Sequence, residues 1–159
     1  FNSSGGLRGS KSQVYEGGIR EPFVARWPAK IKPGTTTDHV SAHYDLMATL
    51  AEITGQKLSD TDGISFLPTL LGQTEKQKQH EYLYWEFSSG GGQYAVRMGD
   101  WKGVRTGVSR NPNAEWQIFN LSTDRAETTN LAGTHPELVE KCKQIVSKRT
   151  PSQNQDWNF

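Results

Sequence analysis

An α+β chain in two parts is expected. The first holds a short strand and a helix within residues 1–80, the second a small antiparallel sheet packed on a C-terminal helix within residues 81–159. Three observations predict it. Apolar residues recur at helical spacing over 42–54 and in strand-like runs after 81, on either side of a polar connector. Gly99-Asp100 joins two apolar runs as a two-residue hairpin link would. Thr134-His135-Pro136-Glu137 has the form of a helix start, with a capping residue, a first-turn proline and an acid three positions on.

In chain order, residues 1–20 are rich in Gly, Ser and charge and read as loop. Pro22-Phe23-Val24-Ala25-Arg26-Trp27-Pro28 is an apolar run between prolines, the pattern of a short strand. The helix expected over 42–54 carries His43, Leu46, Met47, Leu50, Ala51 and Thr54 on one stripe and stops at Gly55; Ser41 and Asp45 are both placed to cap it. A turn and one or two helical turns follow within 62–72, and Gln73 to His80 is the candidate boundary. Strands are then expected over 81–87, 94–98, 101–105 and 116–121, with Ser88-Ser89-Gly90-Gly91-Gly92 and 107–114 as loops. Leu138, Val139, Cys142, Ile145 and Val146 form the stripe of the last helix, which makes Cys142 a core residue rather than a nucleophile. The tail is polar except for Trp157 and Phe159, which are suited to dock on the body.

Composition removes several function classes. Lys plus Arg (18) balance Asp plus Glu (17) to a net charge of +1, so no basic excess points to nucleic acid. No apolar run is long enough to cross a bilayer. The start, Phe1-Asn2-Ser3-Ser4-Gly5-Gly6, lacks the features of a signal peptide and reads as an internal start. One cysteine makes neither an intrachain disulfide nor a zinc cluster. His39, His43, His80 and His135 show no metal-binding spacing, and no phosphate-binding Gly-Lys-Ser/Thr loop or Gly-x-Ser-x-Gly elbow occurs.

One stretch, from Leu7 to Phe23, can bear on chemistry. Its glycines allow close backbone approach, and Arg8, Lys11 and Arg20 bring cations near one place, which suits a tetrahedral anion. By residue chemistry alone, a mobile basic loop is the plainer reading.

The order of motifs adds to this. Leu7-Arg8-Gly9-Ser10-Lys11, Tyr15-Glu16-Gly17-Gly18-Ile19-Arg20-Glu21-Pro22 and Trp27-Pro28-Ala29-Lys30-Ile31-Lys32-Pro33-Gly34 stand in series. They are followed by Asp45-Leu46-Met47-Ala48-Thr49-Leu50, Leu83-Tyr84-Trp85-Glu86, Gly99-Asp100-Trp101-Lys102, and then Asp124, Glu127 and Asn130-Leu131. This series resembles the C-terminal part of the type I sulfatases, of the alkaline-phosphatase-like superfamily. The resemblance implies that residues 1–80 end the large α/β domain, with its last strand and helix, and that 81–159 form the C-terminal subdomain.

It implies a parent that hydrolyses sulfate esters of a sugar or an aryl alcohol, using calcium and a formylglycine nucleophile, with Lys11 contacting the sulfate and stabilising the leaving oxygen. Glu16, Gly17 and Gly18 would shape that loop, while Arg8 and Trp85 are the candidate substrate-binding residues. The Cys/Ser-x-Pro-x-Arg motif that yields formylglycine is absent, as are the family's calcium ligands, so the chain alone is expected to be inactive. For such a parent the family implies a periplasmic, secreted or lysosomal location and a sulfated small molecule or glycan as partner. The isolated chain, with apolar surface uncovered, is expected to self-associate. Two alternatives stay open on residues alone: a phosphoester hydrolase of the same superfamily, and a non-catalytic carbohydrate-binding or assembly module.

Overall fold

The computed structural model describes residues 3–159. They form two compact units, one joining the chain up to Glu21 with Tyr82–Phe159, the other comprising Pro22–Glu81. The later boundary lies between Glu81 and Tyr82. Residues 3–20, within the stretch expected as loop, belong to the unit of the sheet, on which Val14 and Tyr15 pack.

Four strands make that sheet: β1 (Leu83–Phe87), β2 (Gln93–Met98), β3 (Trp101–Thr106) and β4 (Gln117–Asn120). They pair antiparallel in the order β1-β2-β3-β4, so each strand lies beside its neighbour in sequence. Met98 faces Trp101 across the Gly99-Asp100 turn, where Gly99 adopts a left-handed φ of 59°. Because side chains alternate, the register sends Tyr94, Val96 and Ile118 to one face and Ala95, Val104 and Phe119 to the other.

On the first face lies helix α4 (Pro136–Ser147), which buries Leu138 and Cys142. Gly103 on β3 leaves room for it, since a Cβ there would collide with Cys142 Sγ. The helix starts one residue later than the expected cap: His135 is the N-cap, and Thr134 Oγ1 donates to the Leu131 carbonyl instead. Pro136 thus takes the first helical position, where its missing N–H is not needed. Of the two tail aromatics, Phe159 docks, its ring 5.1 Å from Tyr94, while Trp157 stays 61% exposed.

The opposite face is covered by the N-terminal segment, which places Val14 and Tyr15 against Ala95, Val104, Phe119 and Leu121, with Trp85 at the edge. Immediately after comes the one-turn helix α1 (Glu16–Ile19). Under it lies a buried charge cluster. Lys102 Nζ is 2.9 Å from both Glu16 Oε1 and Glu127 Oε1, although it is aligned for a hydrogen bond only to Glu16. The Glu16 N–H donates to Glu127 Oε2 at 2.7 Å, and Arg20 approaches Glu16 Oε2 at 3.5 Å. Lys102 and Glu127 are 0% exposed. Burial pushes the Glu127 carboxyl above its ordinary range, and Lys102 partly counters this. Glu127 itself holds a left-handed φ of 55°, reached through a turn in which Asp124 Oδ2 accepts the N–H groups of Thr128 and Thr129.

The Pro22–Glu81 unit holds helix α2 (Asp45–Ile53) and the short helix α3 (Leu67–Leu70). The strand expected at 22–28 does not form, since no segment of the described chain ladders with it, and Val24 is 91% exposed. A strand exists only as a pair, so the β-propensity of this run is without effect here. The expected apolar stripe of α2 is also turned outward: Leu46, Met47, Leu50 and Ile53 are exposed while Asp45 and Thr49 are buried.

Neither expected cap operates on α2, whose N-cap is Tyr44. Asp45 accepts from the Ala42 and Ile64 N–H groups and meets His80 Nε2 at 2.8 Å, while Thr49 Oγ1 accepts from the Phe66 N–H. The outward face, with Phe23, Trp27 and Ile31, borders an apolar groove of about 250 Å³. No helix among the described residues is long and apolar enough to cross a membrane.

Two outcomes follow from the sheet unit. Burial pushes the Cys142 thiol up to about 12, so thiol reagents should label it slowly in the native chain and rapidly once denaturant is added; rapid native labelling would contradict this packing. Replacing Lys102 by Met leaves two buried carboxylates without their cation, and urea titration should show a loss of about 3–5 kcal/mol. An unchanged midpoint would mean that the cluster contributes nothing to stability.

Candidate functional site

Lys11 sits at the tip of a tight turn. The Gln13 N–H donates to the Ser10 carbonyl at 3.0 Å, and Gln13 Oε1 accepts from the Ser10 N–H at 2.9 Å, closing the turn from both sides. Ser12 follows Lys11 with a φ of 71°, the left-handed conformation that the second central position of a type II turn requires. A residue other than glycine is held there only by its surroundings.

Those surroundings begin with Gly17 and Gly18. A Cβ on Gly18 would lie 2.5 Å from the Ser10 carbonyl oxygen and closer still to that of Gln13; one on Gly17 would meet the Gly9 and Arg8 carbonyls. The Lys11 turn therefore rests directly on the bare backbone of α1, and the Gly17 N–H donates to the Arg8 carbonyl at 2.7 Å. This is the physical content of the Glu-Gly-Gly motif. Glu16 anchors α1 in the buried charge cluster, and the two glycines let the turn approach it.

The three cations of the segment behave differently. The Arg8 guanidinium lies 4.0 Å from the centre of the Tyr15 ring and donates to the Glu127 carbonyl at 3.0 Å. Arg20 pairs with Glu16. Lys11 is exposed, and among the described residues its ammonium has no hydrogen bond or ion pair. Lys11 is thus the member of the three whose charge is available to a ligand. Trp85 is half-buried against the Val14, Tyr15 and Phe119 side of the sheet.

Other candidate groups are engaged elsewhere. His80 is held by Asp45, and His135 pairs with Glu137 at 3.0 Å and lies against Trp101. No group of three or more His, Cys, Asp or Glu side chains that could hold a metal occurs among the described residues, so these residues do not fit a calcium site. Cys142 lies on the buried face of α4, in a sequence context without the formylglycine motif.

Three residues important to the geometry were not singled out for a role by sequence reasoning. Lys102 and Glu127 were present only as letters of motifs, and nothing in their spacing announces that they meet Glu16. Gln93 carries no sequence signal at all, yet its side chain is buried beside the Lys11 turn.

Comparison with known proteins accords with this arrangement. The family profile described as N-sulphoglucosamine sulphohydrolase, C-terminal, matches residues 9–154. Human arylsulfatase A is 32% identical over 89% of this chain and 32% of its own length. The N-acetylgalactosamine-6-O-sulfatase of Bacteroides thetaiotaomicron is 30% identical over 87% of this chain and 29% of its own. A solved structure described under the metabolism of multiple glycosaminoglycans by that bacterium superposes with a TM-score of 0.73 at 30% identity, covering 90% of this chain and 32% of its own. The chain thus spans about a third of the length of these relatives. Similarity over nearly the whole chain, joined to an antiparallel sheet and C-terminal helix beneath a lysine-bearing turn, places this chain in the sulfatase family of the alkaline-phosphatase-like superfamily, where it corresponds to the C-terminal part.

Proposed function

We propose that the protein to which this chain belongs hydrolyses sulfate esters of a sugar or an aryl alcohol, and that Lys11 is the group this chain brings to the sulfate. The observation that carries the reading is the isolation of the Lys11 ammonium on a rigid, glycine-supported turn while Arg8 and Arg20 are tied to the fold. A fixed cation beside the bridging oxygen stabilises negative charge as the S–O bond breaks, without reorganising at that moment.

In this reading residues 1–80 complete the large α/β domain and 81–159 form the C-terminal subdomain. The outward apolar face of α2 and the unladdered run at 22–28 are surfaces that the remaining two-thirds of such a protein would cover. Calcium and the formylglycine nucleophile would be supplied by that remainder, which leaves this chain without turnover of its own. Arg8, exposed beside the turn, and Trp85 are proposed to line the substrate mouth. The relatives compared are sulfatases, which does not favour the phosphoester alternative.

In the full-length protein, Lys11→Ala should lower the maximal rate of aryl sulfate hydrolysis by about 10²–10³, the scale of losing one electrostatic stabiliser. An unchanged rate would remove Lys11 from the site. In the isolated chain, the exposed Leu46, Met47, Leu50 and Ile53 should drive self-association. Sedimentation should show dimers or larger species, reduced by Met47→Glu; a strict monomer at high concentration would contradict this.

A further inference from the structure

Gln93 is the first residue of β2, and its side chain turns toward the face covered by the N-terminal segment. It is 4% exposed, and every polar group of its amide is occupied. Nε2 donates to the Ser12 carbonyl at 3.0 Å and to the Ser89 carbonyl at 2.9 Å, while Oε1 accepts from the Val14 N–H at 3.4 Å. Two carbonyls facing one end and an N–H facing the other fix the orientation of the amide.

These partners are not scattered. Ser12 is the left-handed residue that follows Lys11, and Val14 is where the segment enters the core. Ser89 belongs to the glycine-rich loop between β1 and β2, which wraps the amide so closely that a Cβ on Gly90 would lie 3.2 Å from Gln93 Nε2. A buried side chain of the sheet thus grips the unfavourable residue of the turn on its C-terminal side, while Gly17 and Gly18 support the turn from below. A turn that contains a left-handed serine relaxes when its external partners are removed, and Lys11 at its tip moves with it.

We propose that Gln93 is a positioning residue for Lys11, holding the turn so that the lysine ammonium is aimed before the sulfate ester arrives. The inference rests on the reading of Lys11 as the sulfate contact. Gln93 touches no substrate itself, because its amide is saturated and buried. Its effect on the reaction passes through the Ser12 carbonyl, and therefore exists only while the lysine is present.

The test is a double-mutant cycle in the full-length protein, with para-nitrophenyl sulfate as probe. Gln93→Met keeps the length and removes all three hydrogen bonds. In the otherwise unchanged protein it should lower kcat by about tenfold to a hundredfold, the range expected for misplacing a catalytic group by about an ångström. In the Lys11→Ala background the same substitution should change kcat by less than about twofold, since residues acting as a unit are not additive. Equal losses in both backgrounds would overturn the proposal and leave Gln93 as a structural residue only. A Lys11→Ala protein of unchanged rate would instead remove the underlying reading, and the proposal with it. Should Gln93→Met fail to fold, Gln93→Asn passes through the same cycle with the same two outcomes. It keeps a neutral amide but, one methylene shorter, draws it back from the Ser12 and Ser89 carbonyls.

Discussion

The sheet unit depends on one buried ammonium. Lys102 reaches Glu16 from the N-terminal segment and Glu127 from the turn after β4, so one side chain ties together three stretches far apart in sequence. Such a cluster is a poor source of net stability, because taking three charges out of water costs about as much as their attraction returns. Its contribution here is geometric. With two carboxylates and one ammonium buried together, any arrangement that separates them leaves a charge in the core, and alternatives to this packing are heavily penalised. Arg20 at the rim and the N–H of Glu16 offset part of the negative excess.

From this anchor the Lys11 turn is built outward in short steps. Glu16 fixes α1, whose Gly17 and Gly18 form a platform without side chains, and the turn lies on that platform. Gln93 holds it from the sheet side, and the Arg8 guanidinium lies 4.0 Å from the centre of the Tyr15 ring. The exposed lysine is therefore carried by a turn that α1 supports from one side and Gln93 from the other. Gly9, Gly17 and Gly18 serve the close approaches the backbone makes here, although in sequence such a composition resembles a flexible loop.

The Pro22–Glu81 unit follows a different logic. Beside the buried Phe66, its inner contacts are polar: Asp45 gathers two backbone N–H groups and His80, and Thr49 links α2 to Phe66. Its apolar side chains, from Phe23 to Ile53, line an open groove. Helix α2 thus buries carboxylate and hydroxyl while exposing leucine and methionine.

Where structure depends on neighbours in sequence, the sequence was sufficient. The hairpin at Gly99-Asp100, the strands on either side and the stripe that buries Cys142 in α4 are local patterns of period and turn chemistry, and all four strands and the helix appear close to where those patterns put them. The resemblance to sulfatases was legible for the same reason, being carried by runs of adjacent residues in order. The tertiary structure alone decided the rest. The run at 22–28 has strand character but no ladder partner among the described residues, and pairing is not a property of one segment. The inward face of α2 was set by hydrogen bonds from Ile64, Phe66 and His80, which its periodicity does not register. The junction of Lys102, Glu16 and Glu127, and the grip of Gln93 on Ser12, join residues about 80 to 110 positions apart. Such contacts are chosen by the folded path of the backbone and by the cost of an unpaired buried charge or amide, and neither quantity is written in residue spacing.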